Sequence, residues 1–271
     1  VTVVEREERR LAVQETDPRI ELVHRFFSGT GPTYDRMARY ATFGLDNRWK
    51  QRIVDLLPPA PSRILDLACG TGISTLAIAR RFPRCHVTGV ELREEYLAIA
   101  RDKLRRLGLS NVDFVLGRAE DYRSSEPLDC IVSSYLAKYA DLPRLIPAAK
   151  AMLKDGGLLL LHDFTYPYKA VLNQVWRFYF WTLQRVGTSL FPAWREIYYG
   201  LPRLIRETRW IPESIDTLYD NGFQEIQVEH LTAYSSAIVT AWKQRVDPRN
   251  QQITPKDHQN GSHVLHRSYE F

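Results

Sequence analysis

A chain of 271 residues, 44% apolar and 25% charged, is long enough to bury one full hydrophobic core and has the ordinary composition of a globular domain. The formal net charge of +5 comes without a Lys/Arg block, which excludes a nucleic-acid arm, and no apolar run reaches the roughly 18 residues of a membrane span. The cysteines Cys69, Cys85 and Cys130 form no CxxC pattern and have no histidine at zinc-ligand spacing. They read as reduced thiols of a cytoplasmic protein, and no metal is expected.

Residues 1–20 are polar and read as a flexible N-terminus. Helical spacing runs over 21–57, interrupted by the turn-forming segment 28–33, until the run Pro58-Pro59-Ala60-Pro61 ends any helix. Strands and helices then alternate. Residues 63–67 are a short apolar run ending at glycines, 73–81 have helical spacing, 85–90 are β-rich, and 94–107 form a helix stopped by Gly108. Residues 112–116 and 128–133 are further strands, 142–153 a helix and 157–161 a buried strand. The aromatic-rich segment 166–211 is helical and too large for a simple crossover, so it is expected to form a cap over a substrate. Residues 224–231 and 236–242 make a final hairpin, and 247–271 read as a disordered tail. This order predicts an α/β fold: a Rossmann-like, doubly wound, mostly parallel seven-stranded sheet with an antiparallel C-terminal hairpin and a helical cap. A single domain spans 21–246, with 21–57 as a helical lid.

The sharpest local feature is Ile64-Leu65-Asp66-Leu67-Ala68-Cys69-Gly70-Thr71-Gly72, a strand running into a glycine turn that opens a helix. Gly70 and Gly72 allow close backbone approach to a ligand, and the helix start offers free N–H donors. Asp66 sits at the strand end, and Glu91 follows about 20 residues later, where a carboxylate can take both hydroxyls of a ribose. The third glycine of a dinucleotide loop is absent, because Thr75 stands there, which disfavours an NAD-dependent oxidoreductase.

The pattern D-L-A-C-G-T-G resembles the S-adenosylmethionine loop of Rossmann-like methyltransferases, in which the loop cradles a methionyl tail. Gly117-Arg118-Ala119-Glu120 falls where such enzymes wrap a loop around the adenine, Ser133-Ser134-Tyr135 ends the fourth strand, and Leu153-Lys154-Asp155-Gly156-Gly157-Leu158-Leu159 resembles their L-K-P-G-G-x-L turn. Upstream, Phe26-Phe27-Ser28, Tyr34-Asp35-Arg36-Met37, Phe43-Gly44 and Trp49-Lys50 are similar to the N-terminal signature of the ubiquinone/menaquinone biosynthesis C-methyltransferases. That resemblance continues through Leu128-Asp129-Cys130-Ile131, His162-Asp163-Phe164-Thr165-Tyr166-Pro167 and the closing run 228–233, so it covers about residues 25–243. It implies S-adenosyl-L-methionine contacts at Thr71, Glu91, Arg118, Ala119 and Ser134, a lid role for Tyr34, and ring C-methylation of a prenylated quinol precursor. The loop itself adds Asp66, Gly70 and Gly72, and Leu92 and Glu120 adjoin the set. The sequence departs from the family pattern at Ala38, Lys138-Tyr139, Tyr234 and Thr240-Ala241-Trp242, all expected on the substrate side, which puts the acceptor in doubt but not the cofactor.

Methylating a quinol carbon needs the phenol as its anion. A free phenol titrates near 10, so a base or a positive neighbour is required. The candidates at the strand ends are Asp163, His162 and Lys138, with Tyr34 closing from above. An O- or N-methyltransferase on another small aromatic metabolite and a non-catalytic S-adenosylmethionine-binding accessory subunit stay open. The expected partner is a small lipophilic aromatic molecule and no nucleic acid. A homodimer stays open, as does peripheral membrane contact through a helix over 169–186, whose wide apolar sector is flanked by Lys169, Arg177 and Arg185.

Overall fold

The computed structural model describes residues 17–245; the expected flexible stretch up to residue 16 and the expected tail lie outside them. Residues 17–20 are ordered into the first helix. Asp17 caps α1 (Pro18–Phe27) by accepting the Arg19 N–H at 2.9 Å, with Pro18 at the first helical position. The lid contains two more helices, α2 (Tyr34–Ala41) and α3 (Leu45–Asp55). They are separated at Phe43 (φ 52°) and Gly44 (φ 77°), a left-handed break that the helical spacing of 21–57 conceals.

The sheet is built from β1 (Arg63–Leu67), β2 (His86–Glu91), β3 (Val112–Leu116), β4 (Leu128–Ser134), β5 (Leu153–Phe164), β6 (Phe223–Leu231) and β7 (Ser236–Lys243), in the order β3-β2-β1-β4-β5-β7-β6. The first five strands are parallel; β7 runs antiparallel to β5 and to β6. The parallel strands carry near-continuous apolar runs because helices cover both faces. On one face α3 and α4 (Ile73–Arg81) bury Trp49, Ile53, Leu76 and Ile78 against Ile64, Val87 and Leu160. On the other, α6 (Leu142–Met152) buries Leu142, Leu145 and Ile146 against Leu65, Ile131 and Leu159. The helix α5 (Glu94–Leu107) lies between β2 and β3.

The insertion folds as α7 (Ala170–Thr182), a π-helical turn (Leu183–Gly187), short turns, and α8 (Arg195–Glu207). A further helix, α9 (Trp210–Asp220), was not anticipated. It packs Trp210 and Leu218 into the α6 core and returns the chain to β6. Phe26 of α1, Met37 of α2, Tyr139 and the α8 residues Ile197 and Tyr198 form a separate core that binds lid and cap together.

Candidate functional site

The strand order reverses between β1 and β4, and in such sheets ligands bind at the carboxyl ends beside that point. There the chain leaves β1 through Ala68 (φ 56°), Gly70 (φ 57°) and Gly72 (φ 80°). A cavity beside this loop is lined by Tyr34, Gly70, Glu91, Leu92, Arg118, Ala119, Glu120 and Ser134. A narrow extension is lined by Asp66, Thr71 and Lys50. Of the cofactor contacts expected from sequence, only Gly72 lines neither. A Cβ there would meet Ala100 Cβ and Phe114 Cζ, each at 3.1 Å, so Gly72 is a glycine of packing and turn. A Cβ on Gly70 would face open space.

The floor of this cavity is acidic. Glu91 accepts the Gly70 N–H at 3.0 Å and the Arg93 N–H at 2.9 Å, and its burial raises its pKa. Asp66 accepts the Thr75 hydroxyl at 2.6 Å, and burial pushes its pKa up to about 7. Arg118 is neutralised by Glu120 at 2.9 Å and Asp17 at 2.5 Å. The lid is latched onto the loop: Thr71 donates to Asp35 at 2.6 Å, and Lys103 pairs with Asp35 while donating to the Thr71 carbonyl at 3.0 Å.

A second cavity of about 570 Å³ lies between the sheet edge, the lid and the cap. Its walls are aromatic and aliphatic, and among the described residues Lys138 is the one charged side chain that lines it. Phe27, Tyr34, Tyr135 and Tyr139 line both cavities and form the partition between them. Phe27 holds three of these rings together by edge contacts, to Tyr139 at 5.9 Å and to Tyr34 at 6.4 Å between centroids, and Tyr135 stands beside them on Phe164.

Asp163 and His162, expected at the strand end as candidate bases, line neither cavity. β5 continues to Phe164, and β7 pairs with it at His162↔Ile238 and Asp163↔Ala237, so both residues lie inside the sheet and are fully buried. Asp163 already accepts three hydrogen bonds, from Lys138 Nζ at 2.6 Å, Lys138 N at 3.0 Å and Phe164 N at 2.7 Å. Its geometry is that of a counter-ion holding Lys138. Burial lowers the pKa of Lys138, an effect that Asp163 opposes. His162 Nδ1 lies 2.9 Å from the Ser134 hydroxyl, Nε2 has no hydrogen-bond partner among the described residues, and burial holds the ring well below its ordinary pKa.

Residues that sequence reasoning missed complete the partition. Tyr135, in a left-handed conformation (φ 70°), donates to Asp46 at 2.7 Å and stacks on Phe164 at 4.7 Å. Asp46 is paired with Lys50 at 2.5 Å, and both are buried. The helical i, i+4 spacing of Asp46 and Lys50 is a signal the sequence does carry. Among the departures from the family pattern, Ala38, Lys138 and Tyr139 do line the second cavity. Tyr234 does not, and Thr240-Ala241-Trp242 pair with β5 inside the sheet, which corrects their expected place on the substrate side.

The geometry joins a polar, acid-floored cavity at a glycine loop to a large apolar one across a wall of aromatic rings. Fold and site together define a Rossmann-like S-adenosylmethionine-dependent methyltransferase. The model of the ubiE/COQ5 methyltransferase family matches residues 12–243, and the chain belongs to that family. A demethylmenaquinone methyltransferase of Thermus thermophilus is 36% identical over 215 residues, covering 78% of this chain and 97% of the relative. The ubiquinone/menaquinone biosynthesis C-methyltransferase UbiE of Pasteurella multocida is 28% identical over 229 residues, covering 82% of this chain and 85% of the relative. Among solved structures, phosphoethanolamine N-methyltransferase 2 of Haemonchus contortus, bound to phosphomonomethylethanolamine and S-adenosylhomocysteine, superposes with a TM-score of 0.59 at 15% identity. The match covers 85% of this chain and 61% of that one, a likeness of fold.

Proposed function

We propose that this enzyme methylates a ring carbon of a prenylated quinol precursor. The observation that carries the proposal is the large apolar cavity, joined to the glycine-loop cavity through a shared aromatic wall and bearing one cation, Lys138. A hydroxylated ring with a hydrocarbon tail has the matching chemistry: one acidic end and a long apolar remainder.

The first cavity fits S-adenosylmethionine in its donors and acceptors. The open space beside Gly70 admits a methionyl tail against backbone, Glu91 is placed for a ribose diol, and Leu92 and Ala119 offer apolar contact to an adenine. Asp66 and Thr71 lie in the extension, with Asp66 suited to an ammonium group. When bound, the cofactor supplies an electrophilic methyl group. Tyr34, Phe27, Tyr135 and Tyr139 then have to leave a gap through which methyl and ring carbon approach to roughly 3–3.5 Å, while they exclude water.

Lys138 is the acid-strengthening group. Its ammonium, fixed by Asp163, offers a positive charge to the phenolic oxygen in an apolar cavity, where the attraction is stronger than in water. The phenolate, its proton released to solvent, carries increased electron density at the adjacent ring carbons, and the carbon that gains the methyl group gives up its hydrogen as a proton when the phenol and its aromatic ring are restored. In this reading Lys138 touches the acceptor, Asp163 is a positioning residue, and His162 is a neutral buried support.

Product analysis tests the reading. The enzyme is incubated with labelled S-adenosylmethionine and a short-tailed demethylated quinol kept reduced, and the product is analysed by mass spectrometry and NMR. Label in a ring methyl group is expected. Label on oxygen, or turnover confined to acceptors without a hydrocarbon tail, would overturn it and favour an O-methyltransferase of a polar aromatic.

A further inference from the structure

Wrapped around the outside of the cap is an apolar surface that the fold does not use. On α7, Val171 is 73% exposed, Val175 60%, Phe178 67% and Trp181 53%, although they belong to the helix whose Leu172, Trp176 and Tyr179 line the large cavity. At 100° per residue the two sets lie on adjoining faces, so the wide apolar sector read from sequence is divided into an inner half and an outer half. The outer half reaches the cavity: Val175 and Phe178 are exposed and also line it, as does Phe43 of the lid, 81% exposed and 5.8 Å from Tyr179 between ring centroids. The cavity rim and the exposed patch are therefore one continuous apolar surface.

Along the cap segment that carries this patch, charge has a single sign. From Phe164 to Trp194 the chain holds Lys169, Arg177 and Arg185 and no Asp or Glu. All three cations are exposed, as are Arg36 and Arg39 on the lid helix that carries the exposed Tyr40. Exposed aromatics ringed by unopposed cations complement one kind of surface, a bilayer with anionic headgroups over hydrocarbon. No helix among the described residues is long and apolar enough to cross a membrane, so the contact would be peripheral.

We infer that the α7 face and the Phe43 rim dock on an anionic membrane surface, with the large cavity opening directly onto the lipid so that a hydrocarbon-tailed acceptor enters without passing through water. The entry of that acceptor rests on the proposed function; the docking does not.

The test is co-sedimentation of the full chain with vesicles of phosphatidylcholine mixed with phosphatidylglycerol, compared with phosphatidylcholine alone, at low and at raised salt. Two double variants accompany it: Val171→Ser with Trp181→Ser, and Arg177→Glu with Arg185→Glu. All four positions are exposed and line neither cavity, so methylation of a short-tailed acceptor in detergent should be unchanged. The wild type is expected to sediment with the anionic vesicles and to be released by salt, with each variant bound at least about tenfold more weakly. Wild type that stays in the supernatant, or a charge-reversed variant that binds as well as wild type, would overturn the docking. A stable dimer that the Trp181 variant loses, without vesicle binding, would assign the face to a second copy and would also overturn it. Failure to methylate the short-tailed acceptor would leave vesicle binding intact and count against the proposed function alone.

Discussion

The structure buries Asp163 against Lys138, and the proposed role of counter-ion predicts behaviour of Asp163→Asn different from that of a proton acceptor. The Lys138 and Asp163 side chains are 2% and 0% exposed, with 2.6 Å between Nζ and Oδ1. The substitution removes the compensating charge and replaces one acceptor oxygen by an N–H donor, which must face the Lys138 ammonium or a backbone N–H. Breaking a buried pair in this way typically costs about 3–5 kcal/mol. At roughly 2–4 °C per kcal/mol for a domain of this size, Tm should fall on the order of 10 °C in thermal unfolding followed by circular dichroism. With the carboxylate gone, burial of the amine is unopposed, so the folded state binds fewer protons there than the unfolded state. The stability of the variant should therefore rise with pH toward the ordinary lysine value near 10. Adding Lys138→Met removes the orphaned charge and should recover most of the lost stability while turnover stays low. Unchanged Tm in Asp163→Asn, together with lost turnover, would refute this account and return Asp163 to the role of base.

Glu91→Ala should weaken S-adenosylmethionine binding at least tenfold by calorimetry, because two charge-assisted hydrogen bonds of about 1.5–3 kcal/mol each are lost; unchanged affinity in a folded variant would remove Glu91 from the cofactor site. Asp66, raised to about 7 by burial, binds a proton in the folded state that the unfolded state releases near 4, so its contribution to stability is full below about 4 and is lost as pH rises through about 7. Binding of the cationic cofactor should show the reverse trend, tightening as pH rises through neutrality, and calorimetry on Asp66→Asn should find that dependence flattened. The two loop glycines should separate: both alanine variants carry the strain of a left-handed backbone, but Gly72→Ala lowers Tm further because its Cβ meets Ala100 and Phe114, whereas Gly70→Ala, whose Cβ faces open space, adds a loss of cofactor binding. Equal loss of stability in both would make the loop purely structural.

The sheet was legible because its central strands are buried on both faces, and segments such as 63–67 and 157–161 are then largely apolar, with Asp66 the exception beside the glycine loop. Less legible was the place where β5 ends. Its apolar run stops at Leu161, yet hydrogen bonding continues to Phe164 because β7 lies alongside, and pairing with a strand some 75 residues later leaves no local trace. That hidden extension is why spacing puts His162 and Asp163 at an open strand end, whereas both are paired and buried inside the sheet. The break at Phe43-Gly44 was missed for a related reason: apolar periodicity on both sides of one left-handed turn looks like a single helix.

Legibility of the site divides along the aromatic wall. The glycine-loop cavity is assembled from contiguous runs, 66–72, 91–92 and 117–120, each tied to a strand end, so spacing points to Asp66, Gly70 and Glu91 and the family resemblance implies Thr71, Arg118, Ala119 and Ser134. The second cavity draws single residues from three lid helices, the loop after β4, the cap and the final turn. Its one cation is paired with a residue 25 positions away. No period connects such residues, and their apolar character is equally that of ordinary core. Ala38, Lys138 and Tyr139 depart from the family pattern and line the second cavity, while the glycine loop keeps that pattern. Under the proposed function, single substitutions in the lid and after β4 would shift acceptor choice without disturbing the strand ends proposed to hold the cofactor.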